Sequence, residues 1–176
     1  ITNGDVTIKD ANQASTTAAG TITTVTANSF KNLVVESGAL TTLNLSGTGT
    51  SVDADDLGSL TTAANTALAL NIDGLTTTGA VVIDTDIKTL NITSSNNAST
   101  IANLDADGAT TVNVAGNAKA TFTDNNLAAV EDIVVTNTAG AVFGTQALAA
   151  TVNFTGGTGA DSVILSNDFE KAFTMG

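Results

Sequence analysis

Short apolar triplets with a polar centre recur along this chain: Leu43-Asn44-Leu45, Leu70-Asn71-Ile72, Leu90-Asn91-Ile92, Val112-Asn113-Val114 and Val152-Asn153-Phe154. Leu33-Val34-Val35 and Ile133-Val134-Val135 repeat the spacing without the Asn. Alternation with period two predicts strands whose outer two side chains face a core and whose centre faces out. From Leu43 onward the steps are 27, 20, 22, 21 and 19 residues. Turn signals follow most triplets, at Ser46-Gly47, Asp73-Gly74, Ala115-Gly116 and Thr155-Gly156-Gly157. Second apolar clusters lie between them, at Val81-Val82-Ile83, Ile101 with Leu104, Phe122, and Val142-Phe143.

Each unit therefore holds two or three short strands, too little chain for a βαβ unit of roughly 30 residues. The pattern predicts an all-β fold, a parallel β-helix or β-solenoid of about twenty residues per rung, with each strand bonded to its equivalents above and below. Asn in one register would stack as an amide ladder or simply face solvent. The longest step carries an insertion whose acidic start, Asp53-Ala54-Asp55-Asp56, precedes Leu57, Leu60 and an Ala-rich run. Acidic residues ahead of a short apolar stretch suit a helix start, so a short helix is predicted near 53–67. No composition shift divides the chain. It reads as one continuous domain, rungs over 1–155 and a different, glycine-rich repeat from 156 to 176.

Composition narrows the chemistry. Of 176 residues none is Cys, His, Trp, Tyr, Pro or Arg, and all five cations are Lys. Disulfides, thiolate metal sites and Ser-His or Cys-His nucleophiles are thereby excluded. A net charge of −12 argues against nucleic acid or an anionic membrane as partner, and no apolar run approaches a membrane span. Solenoids also include polysaccharide-degrading enzymes, and a carboxylate pair such as Asp84 with Asp86, two apart on what reads as one strand, could serve such chemistry. With no Arg base and no Trp or Tyr platform, an enzyme is not expected.

The glycine-rich segment, Gly156-Gly157-Thr158-Gly159-Ala160-Asp161-Ser162-Val163-Ile164, matches the G-G-x-G-x-D-x-U-x calcium nonapeptide throughout. Glycines let the backbone curl so that carbonyl oxygens face a cation, and Asp161 adds a hard carboxylate oxygen. The metal candidates are Gly157, Gly159 and Asp161, a half-site whose complement belongs to the next coil. Met175-Gly176 comes nineteen residues after Gly156-Gly157, where a following repeat would start. The chain begins at Ile1 and stops within that repeat, so it reads as a piece of something longer. Weaker candidates are Asp53 and Asp55 in the insertion and Asp105 and Asp107 in an Asp-Ala-Asp-Gly turn; for each, Asp favouring a turn is the plainer explanation.

The Thr-rich phrases Leu40–Ser51, Asn71–Ala80 and Phe154–Ser162 resemble the RTX-type surface-layer (S-layer) proteins of Gram-negative bacteria, over most of the chain from about Val6. The resemblance implies a calcium-dependent structural protein, secreted by the type I route and self-associating into a two-dimensional lattice on the outer membrane. It also implies a lipopolysaccharide anchor and a secretion signal in regions outside this sequence. A stalk of an RTX-type or autotransported adhesin is the nearer alternative, and the solenoid of an RTX protease or lipase a further one.

Overall fold

A computed structural model describes residues 4–55 and 65–176. Sixteen strands follow in chain order: β1 (Val6–Lys9), β2 (Thr24–Asn28), β3 (Asn32–Glu36), β4 (Thr42–Gly49), β5 (Ser51–Ala54), β6 (Ala67–Thr77), β7 (Ala80–Ile83), β8 (Thr89–Ser94), β9 (Ser99–Asp105), β10 (Thr111–Gly116), β11 (Ala120–Asn126), β12 (Asp132–Val135), β13 (Ala141–Leu148), β14 (Asn153–Thr155), β15 (Ser162–Leu165) and β16 (Phe173–Thr174). Every pairing is parallel, and the chain is an all-β solenoid, as the alternation predicts. No helix occurs among the described residues. The predicted helix near 53–67 fails at both ends, because Asp53 and Ala54 close β5 and Ala67 opens β6. Its centre, 56–64, lies outside the described residues.

Three walls enclose the core. The first is built by the even-numbered strands, where Leu68, Leu90, Val112, Ile133, Phe154 and Phe173 stand in one register. Those positions step by 22, 22, 21, 21 and 19 residues, so a rung is nearer 22 residues than twenty. The second wall is narrow and runs through Thr100, Thr121 and Val142. The third stacks Leu33, Val52, Val81 and Leu104.

Glycine turns join the first wall to the second, as their sequence positions predict. Gly47, Gly74 and Gly116 hold φ of 72°, 60° and 113°, values that L side chains adopt only with strain. The return corner, from third wall to first, is a repeated turn. Leu40, Ile87, Ala109, Val130 and Val152 each donate a backbone N–H to the carbonyl three residues earlier, at 3.0–3.2 Å. Each of those five side chains is buried, so the turn that closes a rung also fills its corner.

Inward strand positions in the first half are mostly aliphatic, with Phe30 buried at a corner. In the second, Phe122, Phe143 and Phe154 run along the interior with ring centroids 5.0 and 6.4 Å apart, and the exposed Phe173 stacks on Phe154 at 5.3 Å where the row ends. Burying each such side chain contributes about 1.5–3 kcal/mol. The outward residues are linked between rungs as well. Asn71 donates to Asn44 Oδ1 at 2.8 Å, Asn113 to Asn91 Oδ1 at 2.8 Å, Asn126 to Asp105 Oδ1 at 2.8 Å and Asn153 to Asp132 Oδ1 at 2.9 Å. The amide ladder is thus present only in pairs. Between β6 and β8 the register sets Leu70 against Ile92 and Asn71 against Thr93, a slip of two residues that interrupts it.

Candidate functional site

The nonapeptide forms the corner between β14 and β15, and its glycines are there because backbone passes close on both sides. A Cβ on Gly157 would lie 2.7 Å from Val135 O of the preceding rung, and one on Gly159 would lie 2.2 Å from Gly140 N. Neither contact leaves room for a side chain.

Asp161 holds this corner together. Its Oδ1 accepts the Ala141 N–H at 2.8 Å, tying the corner to the preceding rung, and its Oδ2 accepts the Gly157 N–H at 3.0 Å. The structure therefore brings Gly157 and Asp161 into direct contact, with Gly159 packed on the rung below. Met175-Gly176 falls in register above Gly156-Gly157: Thr155 pairs with Thr174, and a Cβ on Gly176 would meet Gly157 O at 2.2 Å. The expected nineteen-residue repeat is thus a real stacking relation.

As a donor set the corner offers hard oxygens, the type that Ca²⁺ takes, but only one carboxylate, whereas the ion wants six to eight oxygen ligands. Each Asp161 oxygen keeps a lone pair beyond the N–H it accepts. The residues fit half of a calcium site. Among the described residues no group of three or more Asp or Glu gathers, at this corner or elsewhere.

The weaker candidates stand apart from the corner and from each other. Asp53 lies on the third wall in register with Val34 and Val82, and Asp105 lies one further rung along, also opposite Val82. Two rung spacings separate them, about 10 Å. Asp55 donates its N–H to Asp53 Oδ1 at 3.3 Å, a local turn contact. Asp105 accepts from Asn126, and Asp107 sits in the return corner with its carbonyl taken by the Ala129 N–H. Asp84 and Asp86 form a turn as well, Asp86 N–H to Asp84 Oδ1 at 2.7 Å. The Asp53 and Asp84 carboxylates cap turns, and that of Asp105 joins two rungs. Asp56 lies outside the described residues.

Two carboxylates that the sequence did not mark as site candidates, Asp10 and the turn residue Asp73, are the most strongly bound. Asp10 is buried and accepts the backbone N–H groups of Asn12, Thr21 and Ile22 and the Ser37 hydroxyl. Those backbone donors, Asn12 first, hold it well below the usual carboxylate range. Asp73 is lowered by the Asn96 side chain and then by Asn97, both of the next rung. The only signal for either was an Asp beside a loop, which is too common to single out. No helix of the described residues is long and apolar enough to cross a membrane. Comparison with known proteins finds no matching family model and no curated protein of significant similarity.

Proposed function

We propose that this chain is a structural, non-catalytic segment of a secreted bacterial surface array, a stiff calcium-dependent lattice element outside the outer membrane. One observation carries the reading: the rungs are joined on the outside as well as the inside. Asn and Asp side chains on the outward positions bond from rung to rung over β4 to β14, above a continuous apolar interior. Such a rod resists bending without a bound ligand.

Calcium enters the proposal at the 156–161 corner. Gly157, Gly159 and Asp161 supply one half of the site, and the rung begun by Met175-Gly176 supplies the other. Self-association places rods side by side, while lipopolysaccharide anchoring belongs to regions outside this sequence. The test is electron microscopy of the full-length protein on cells, with and without a calcium chelator. An ordered sheet that disperses on chelation supports the lattice. Isolated fibres support the adhesin stalk instead, and a bare surface contradicts both.

A further inference from the structure

Among the described residues the third wall is interrupted at one place, between β11 and β13. On β11 the strand pairs with β9 as far as Asn126, but its pairing with β13 stops at Phe122–Phe143. Beyond Val142, β13 is displaced and its register with β15 shifts before Ala147. The opening leaves a cavity of about 340 Å³ lined by Asn103, Asp124, Asn125 and Gln146 with Leu127 and Ala147. Asn125 occupies the register position of Leu104, so a carboxamide stands where the wall otherwise has an aliphatic side chain.

Acceptor oxygens gather at this cavity. Asn125 uses its Nδ2 on Gly144 O at 3.2 Å, leaving its carbonyl oxygen as the remaining group. Asn103 Oδ1 is buried and has no hydrogen-bond partner. It stands in register with Asp124, whose Oδ1 accepts the Asn125 N–H and the Thr145 hydroxyl and whose Oδ2 accepts no hydrogen bond from the described residues. A buried acceptor without a donor costs free energy that a ligand's donor would restore. We propose that this cavity binds a primary alkylammonium group: an N–H donor cluster for the oxygens of Asn103, Asp124 and Gln146, and methylenes against Leu127 and Ala147.

The chemistry selects that ligand over its rivals. A bare divalent cation wants six to eight oxygens closely around it, and here the apolar wall would face it. A neutral alcohol has one donor and no charge for Asp124. An ammonium has three donors and no acceptor, carries its charge on an apolar stem, and is drawn to a chain of net charge −12. The proposal does not rest on the surface-array reading. The alkylammonium is a free amine or the side chain of a lysine on a second copy of this chain.

The test is a titration of the ¹⁵N-labelled protein with n-butylammonium, with n-butanol and Ca²⁺ run separately. The expected result is saturable shifts confined to Asn103, Asp124, Asn125 and Gln146 with butylammonium alone. Asp124→Asn should weaken binding about tenfold, the worth of one charge-assisted hydrogen bond. Exposed Gln146→Leu, which leaves the core untouched, should weaken it a few-fold. Absence of saturable shifts, equal shifts with n-butanol, or shifts there with Ca²⁺ but not butylammonium would overturn the proposal. Once binding is seen, sedimentation separates the sources: butylammonium that dissociates self-assembled protein marks a neighbour's lysine, and unchanged assembly marks a free amine.

Discussion

Two successive corners of this solenoid, 136–140 and 156–161, make the same bend with opposite chemistry. In the first, the fully buried Asn137 donates through Nδ2 to Ala115 O at 3.1 Å and Ala118 O at 2.8 Å, and accepts the Ala139 N–H at 2.8 Å. In the second, the half-buried Asp161 only accepts, from Ala141 and Gly157. A carboxamide can satisfy carbonyls and an N–H at once, so the Asn137 corner is complete and neutral. A carboxylate satisfies N–H groups alone and keeps a negative charge near the surface. One corner is closed by the chain itself; the other still has charge to offer.

Exchanging the chemistry tests this most severely. Asn137→Asp would aim a buried carboxylate at two carbonyl oxygens and should cost about 4 kcal/mol, read by denaturant unfolding. Asp161→Asn should cost far less, since one acceptor survives. Next in size is Gly159→Ala, which drives a methyl into Gly140 N, 2.2 Å from the ideal Cβ. Because the two corners touch there, about 2 to 3 kcal/mol is expected, with exchange protection lost at both. Asp161→Ala, which strands the N–H groups of Ala141 and Gly157, should cost about 1 to 2 kcal/mol.

The smallest effect is local and concerns acid. Asp10 holds the 10–22 loop by charge, as Asp161 holds its corner, and its folded pKa lies below the ordinary value of 3.8. A depressed carboxylate stabilises fully above the unfolded value and loses that contribution as pH falls below 3.8 toward the folded value. Exchange at Thr21 and Ile22 should therefore accelerate in strong acid, while Ala139, held by Asn137, should show no such dependence. Asp10→Asn should flatten the acid response; a persistent response would place its cause elsewhere.

Leu43-Asn44-Leu45 and its equivalents made the strands and their inward faces legible, because alternation is a property of the strand itself. The glycine corners were legible for a similar reason: φ of 72° at Gly47 or 113° at Gly116 demands that residue. What the triplets hid was their alignment. Leu70 stacks on Ile92, not Leu90, and Ile133 on Phe154, not Val152. A slip of two residues leaves inside and outside unchanged, so the pattern carries no trace of it. The return corner was hidden because its first residues, Ser37, Asp84, Ala106, Leu127 and Ala149, share only a backbone hydrogen bond. At the candidate site the glycines and Asp161 were visible as a motif, but Asp161's grip on Ala141 is a contact between rungs, which no local pattern contains.

The difference between the two corners can be measured in one experiment, amide exchange of the full-length protein in calcium and in chelator. If Asp161 lends its charge to a cation, protection of Gly157 and Ala141 rises with calcium while Ala139 stays unchanged. Equal protection of all three amides in both conditions would contradict the account and leave the nonapeptide a metal-free corner like its neighbour.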